Sequence, residues 1–191
     1  MILNEYSWIF KNSLPKHICE HIIKYALNKA IVKGTTGDRN KGNIRNSHVV
    51  WNNEPWINDL LMQYIRAANQ DAGWNFNIDD NENVQFTIYD KDQYYSWHVD
   101  AWEKPYGKSS KYPGKIRKLS ASILLNDDFE GGDFEFNLRN HDHENNIFPI
   151  NHSKNTGTVI VFPSHILHRV NKVTAGTRYS LVCWALGKQF Q

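Results

Sequence analysis

Cysteine is nearly absent. Cys19 and Cys183 are the two in 191 residues, which excludes a disulfide scaffold and a thiolate-built metal cluster. Long apolar runs are absent too. No stretch reaches 18 apolar residues, so nothing reads as a membrane-spanning helix. The first fifteen residues lack the basic region and apolar run of a secretory signal. Nor is there an excess of one charge: 22 Lys+Arg face 20 Asp+Glu, a formal net charge of +2. That balance gives no general electrostatic case for nucleic acid or an anionic membrane. Repeats, low-complexity tracts and inter-domain linkers are missing as well. These absences leave a cytoplasmic, reducing setting and a single domain over residues 1–191 as the expectation, since domains usually run to about 100–200 residues. With 40% hydrophobic and 13% aromatic residues, the chain can bury a sizeable core and is not a disordered one.

What is there begins with two helices, giving helical support over about residues 13–71. The first is expected after Ser13, a good N-cap, with Pro15 in its first turn and Gly34 at its end. Its periodic stripe is Ile18, Ile22, Tyr25, Ala26 and Lys29. The second runs from about Pro55 to Gln70, with Trp56, Leu60, Tyr64 and Ala67 or Ala68 as the buried stripe. From Val84 onward the pattern turns to short β-branched and aromatic runs. Strands are expected at Val84–Tyr89, Tyr94–His98, Leu119–Leu125, Asp133–Phe136, Thr158–Phe162, His168–Val173 and Arg178–Leu186, with another at His48–Trp51. Many short strands without intervening helices predict a sandwich, barrel or jelly roll, with the helices packed on one sheet.

His98-Val99-Asp100 is the first constellation with chemistry in it. Residues two apart in a strand share a face, so an imidazole and a carboxylate converge. His168 starts another strand seventy residues later. Two His and one carboxylate form the facial triad of non-haem Fe(II) sites, which leaves positions open for substrates. His-x-Asp alone is also what a hydrogen-bonded histidine at a strand end looks like. Arg178 stands ten residues after His168. Its strand puts Arg178, Ser180, Val182 and Trp184 on one face and Tyr179, Leu181, Cys183 and Ala185 on the other. Neither face looks exposed, so the strand is read as central. A guanidinium there needs an anionic partner: an internal Asp or Glu, or the carboxylate of a ligand.

In order and spacing these residues resemble the Fe(II)- and 2-oxoglutarate-dependent oxygenases, and more closely their prolyl 4-hydroxylase-like branch. The likeness covers roughly residues 44–186. Arg45-Asn46-Ser47 is similar to that branch's early Arg-x-Ser strand. Tyr89 and Tyr95 match its Tyr…Tyr-x-x-His-x-Asp pattern, and Glu130-Gly131-Gly132-Asp133 its Gly-Gly turn. Gly157–Phe162 and His168–Arg178 match the closing part. The resemblance implies a double-stranded β-helix (jelly-roll) core of about eight strands, over about residues 84–187. It implies His98, Asp100 and His168 as catalytic iron ligands, and Arg178 with Tyr89 as the binding site for 2-oxoglutarate. The cofactors implied are Fe(II), 2-oxoglutarate and O2, with ascorbate as a supporting reductant. Arg45, Tyr95, Trp102 and Trp184 are candidate substrate contacts. The implied reaction is hydroxylation of a prolyl residue in a peptide or protein, giving succinate and CO2, with a free amino acid as the nearest alternative substrate. Collagen-type prolyl hydroxylases usually carry Lys where this chain has Arg178. Alkylated-base repair oxygenases carry a second Arg where Trp184 stands, which argues against nucleobase repair.

A rival reading from another class is a jelly-roll binding module that holds a peptide or sugar without turnover. Other candidates are weaker. His165 sits three before His168 and is better placed on a turn. His141-Asp142-His143 lies in a polar loop, and His17 and His21 share a helix face without a third ligand. The basic, aromatic loop from Trp102 to Lys118 reads as a lid over the site or as a surface for an acidic peptide or a nucleic-acid strand. Oligomeric state is not legible.

Overall fold

The structure, a computed structural model, describes residues 5–35, 44–101, 104–138, 147–150 and 154–190. The strands in chain order are β1 (Trp8–Phe10), β2 (Val32–Lys33), β3 (Arg45–Asn46), β4 (His48–Asn52), β5 (Asp80–Asn81), β6 (Val84–Tyr89), β7 (Tyr94–His98), β8 (Lys115–Leu124), β9 (Phe129–Gly131), β10 (Phe134–Asn137), β11 (Ile147–Pro149), β12 (Val159–Pro163), β13 (Leu167–Val170), β14 (Val173–Gly176) and β15 (Arg178–Lys188). Two helices, α1 (Lys16–Leu27) and α2 (Pro55–Asp71), complete the described elements. No helix among the described residues is long and apolar enough to cross a membrane.

The larger sheet runs β1-β12-β8-β15-β6-β4-β2, with β5 paired to β15. The smaller runs β11-β10-β13-β7-β3, and β14 pairs with β9. All pairings are antiparallel. This is the expected jelly-roll, mainly β with N-terminal helices. The strand carrying Arg178 is central, between β6 and β8, as its two apolar faces require.

Alternation divides the core in two. On the outer face of the large sheet, Phe86, Ile88, Ala121, Ile123, Val159, Val161, Leu181 and Cys183 pack with Ile22, Ile57, Leu61 and Ile65 of the helices. On the inner face, Ile160 and Phe162 pack with Phe134, Phe136, Val170 and Val173 between the sheets. Each fully buried Leu, Ile or Phe contributes about 1.5–3 kcal/mol. The outer layer therefore carries most of the apolar stabilisation, and the inner layer is left partly polar: Thr87, Ser120, Ser122 and Ser180 are all buried.

Several expectations need correction. The first helix stops at Leu27, well short of Gly34, and Val32–Lys33 forms a strand instead. Ser13 does not cap it; its hydroxyl donates to the carbonyls of Phe10 and Gly157. The buried face of α1 is Cys19, Ile22 and Ala26. In α2 the buried residues are Ile57, Leu61, Met62, Ile65 and Ala68; Ala68 belongs to the expected stripe, while Ile57, Leu61 and Ile65 lie one position on from Trp56, Leu60 and Tyr64. Trp56 is 41% exposed. The expected strand at 168–173 is two, broken at Asn171 and Lys172. The strand expected from Leu119 begins at Lys115.

Candidate metal centre

Two neighbouring strands of the small sheet bring the histidines together. In the register of β7 and β13, His98 and His168 are direct partners, and their rings lie 4.1 Å apart at 54°. Strand β7 ends at His98, so Asp100 sits just beyond it. The backbone N–H groups of Asp100 and Ala101 both donate to the Ser164 carbonyl, each at 2.9 Å. Ser164 N–H in turn donates to the Lys118 carbonyl at 3.0 Å. The loop is thereby bent inward, where a carboxylate continues what strand alternation began.

The result is a compact triad. His98 Nε2 is 3.7 Å from Asp100 Oδ1 and His168 Nε2 is 3.6 Å from Asp100 Oδ2. One ligand atom from each residue lies within 4.8 Å of the others. The Nδ1 atoms face backbone carbonyls, Ser96 for His98 at 2.7 Å and Ile166 for His168 at 2.9 Å. A carbonyl only accepts, so both rings carry their proton on Nδ1 and turn the Nε2 lone pair toward Asp100. That is the tautomer a metal needs, oriented by the carbonyls behind it.

Electrostatics agree with the geometry. Burial, helped by the neighbouring His168, pushes the His98 pKa down to about 3, so the imidazole is neutral. Burial works against an ionised Asp100, but the two imidazoles and the Arg117 charge outweigh it and hold the carboxyl at about 2. The Trp184 indole N–H also lowers it, although it forms no hydrogen bond of full geometry. Two imidazole nitrogens and an ionised oxygen gathered within 4.8 Å of one another suit a divalent cation such as Fe(II). Aromatic walls enclose the donors. Phe134 stacks on His168 and Phe162 meets it edge-on. Tyr95 stacks on His98 at 3.4 Å, with the Arg45 guanidinium 4.7 Å from the Tyr95 ring centre.

Arg178 lies in the same interior, 2% exposed. Its register partner is Tyr89, whose ring centre is 5.7 Å from the guanidinium carbon. Nη1 donates to Ser180 Oγ at 3.0 Å, and Nε is buried without a partner. Among the described residues no carboxylate forms an ion pair with it. Gly132 makes room for it: with φ at +62°, a Cβ there would sit 3.0 Å from Arg178 Cδ. Only glycine takes that conformation at little cost. A buried guanidinium left one donor short, with no carboxylate paired to it among the described residues, suits a carboxylate brought by a ligand.

The other sequence candidates divide. Arg45 and Tyr95 join the site. Trp184 is buried behind Asp100, its ring centre 3.9 Å from the Arg117 guanidinium carbon and 6.4 Å from that of Trp51. Trp102 and His141–His143 lie outside the described residues. His165 is on the turn between β12 and β13, exposed. His21 meets Trp56 instead of a third ligand. The described part of the basic loop is tied down: Lys115 pairs with Asp79 and Asp80, Arg117 with Glu82, and Tyr106 O–H donates to Glu82. Glu82 and Arg117 were not singled out in the sequence. A lone Glu in a polar stretch gives no signal until its partner, 35 positions away, is beside it.

Residues 84–186, just over half of the chain, match the family model described as the 2OG-Fe(II) oxygenase superfamily. The chain is similar to a PKHD-type hydroxylase of Psychrobacter sp. (strain PRwf-1), 31% identical over 101 residues, 52% of this chain and 36% of that protein. The matched stretch thus spans little more than a third of that relative. Among solved structures, it is similar to a Pseudomonas putida prolyl-4-hydroxylase, with a TM-score of 0.73 and 16% identity over 95% of this chain and 93% of that one. It is also similar to a Trichoplax adhaerens prolyl hydroxylase in complex with a hypoxia inducible factor peptide fragment, with a TM-score of 0.66 and 15% identity over 95% and 84% of the two chains.

Proposed function

The chain belongs to the 2OG-Fe(II) oxygenase superfamily, and on that premise we propose that it is a hydroxylase acting on a prolyl residue of a peptide or protein. In this reading His98, Asp100 and His168 hold Fe(II), and Arg178 with Tyr89 holds the distal carboxylate of 2-oxoglutarate. The observation that carries it is the pairing of two features in one interior, with Tyr89 beside both Arg178 and Asp100. The first is a triad with both Nε2 lone pairs turned to one carboxylate. The second is a buried, anion-seeking guanidinium.

The bound cofactors supply O2-dependent decarboxylation of 2-oxoglutarate to succinate and CO2, coupled to hydroxylation of a C–H bond. The chain supplies placement. The Ser96 and Ile166 carbonyls keep the imidazoles in the ligating tautomer. Arg178, Ser180 and Tyr89 orient the co-substrate from its far end, which fixes which way its reactive end points. Phe134, Phe162 and Tyr95 exclude water from the donors, which strengthens every charge interaction inside. Arg45 and Tyr95 line the approach for the substrate, with Trp184 behind Asp100.

The prolyl substrate is supported by the likeness to prolyl hydroxylases, one of them bound to a peptide. The cytoplasmic, reducing setting is supported by Cys19 and Cys183, both buried and unpaired. Burial raises their thiols to about 11 and about 12. The test is turnover of 2-oxoglutarate with a library of proline-containing peptides, read by succinate release and by a mass gain of one oxygen. Peptide-stimulated succinate with oxygen on proline supports the reading. Hydroxylation of free amino acids alone refutes the peptide part, and no 2-oxoglutarate turnover refutes the whole.

A further inference from the structure

Next to Asp100 lies an ion pair that the proposed chemistry does not use. Glu82 and Arg117 are both nearly buried, with side chains 11% and 12% exposed. Arg117 grips the Glu82 carboxylate with two donors, Nε to Oε1 at 2.5 Å and Nη2 to Oε2 at 2.7 Å. Its remaining arm, Nη1, donates to the backbone carbonyl of Asp100 at 3.4 Å. Its face lies over the Trp184 ring. Glu82 accepts a further hydrogen bond from the Tyr106 hydroxyl at 2.5 Å, and its own N–H donates to the Trp184 carbonyl at 3.0 Å. A buried pair of this kind gives little net stability, because desolvation offsets the attraction. Its arrangement calls for another explanation. It is a fork with one arm on the backbone of a candidate metal ligand.

We propose that Glu82 and Arg117 are positioning residues that set Asp100 for metal binding, Glu82 by locking the guanidinium and Arg117 by holding the Asp100 carbonyl. The inference rests on the proposed role of Asp100. Asp100 lies past the end of its strand, where no ladder restrains it; the Ser164 carbonyl holds its N–H and Arg117 its C=O. Both ends of one peptide segment are thus pinned. Tyr106 joins the same carboxylate, so residues 104–114 are anchored to the group that steadies Asp100.

The test uses metal alone, with no turnover. Anaerobic Co(II) titration of the metal-free protein gives an affinity and a visible ligand-field spectrum, and thermal melting gives stability. Glu82→Gln keeps the shape but releases the guanidinium. The expected result is about a 10–100-fold loss of Co(II) affinity, the usual effect of removing an outer-shell partner, with an altered spectrum. If Glu82→Gln is poorly folded, Glu82→Gln/Arg117→Met removes the uncompensated charge and restores melting; the expected affinity stays low. A folded variant with wild-type affinity and spectrum overturns the proposal. Wild-type protein that binds no Co(II), or that binds it unchanged in His168→Ala, overturns the functional reading itself and this inference with it.

Discussion

Arg178→Met has opposite consequences for the empty and the loaded protein. The Arg178 guanidinium is 2% exposed. Among the described residues it donates to Ser180 and has a distant aromatic ring in Tyr89. Burial pushes its pKa down against the pull of Tyr89 and Asp133. A buried ion without a counter-charge costs several kcal/mol, and a similar-sized apolar residue removes that cost. After subtraction of the Ser180 bond, at about 1.5 kcal/mol or more, the substitution should stabilise the metal-free protein by about 1–3 kcal/mol. For a chain of this length that raises Tm by about 2–12 °C. The co-substrate moves the other way. Two charge-assisted hydrogen bonds at about 1.5–3 kcal/mol each are lost, so 2-oxoglutarate binding should weaken by about 10^2–10^4-fold. The assay is thermal melting under nitrogen with Mn(II), across a 2-oxoglutarate series. Wild type should gain Tm with 2-oxoglutarate, while the variant starts higher and stays flat. A variant that melts lower when empty, or that responds to 2-oxoglutarate like wild type, refutes the reasoning.

Gly132→Ala should raise the 2-oxoglutarate KM and cost about 1–3 kcal/mol of stability, because it forces a side chain into a positive-φ position against Arg178; kinetics and denaturant melts check both. Leu61→Ala should cost about 2–5 kcal/mol, whereas Trp56→Ala should be within about 0.5 kcal/mol of wild type; urea unfolding would reverse the face of α2 if the order were inverted. The metal-free protein should lose stability as pH falls from about 6.5 toward about 3. His98 has its folded pKa depressed, so the unfolded chain binds the extra proton across that window. Asp100, held at about 2, withdraws its own contribution only below the ordinary carboxylate range. Stability against pH in His98→Gln should be flatter between those limits, and an equal slope would count against a buried neutral imidazole.

The chemistry was more legible in the sequence than the packing. His98 and Asp100 are two apart, His168 lies at the start of a strand and Arg178 follows ten later. The motif spacing was legible, although Asp100 is turned inward by its bonds to Ser164 beyond the strand end and Arg178 stands on the other sheet. The face of α2 was not legible. Trp56, Leu60 and Tyr64 make as good a helical stripe as Ile57, Leu61 and Ile65, and the docking angle on the sheet decides between them. Tyrosine and tryptophan tolerate the boundary because each has a polar tip. Strands of two or three residues, such as Val32–Lys33 and Asp80–Asn81, are too short to show a period. Arg117 read as one cation in a basic loop. Its meaning depends on Glu82, Trp184 and Asp100, which only the fold brings around it.

The most direct test of the central claim is an anaerobic titration of the metal-free protein with Fe(II) and then 2-oxoglutarate, read by the visible metal-to-ligand charge-transfer band, with His168→Ala alongside. The account predicts a band in wild type that needs both additions and is lost in the variant. Bound Fe(II) with no band on adding 2-oxoglutarate, or a band of equal strength in His168→Ala, would contradict it.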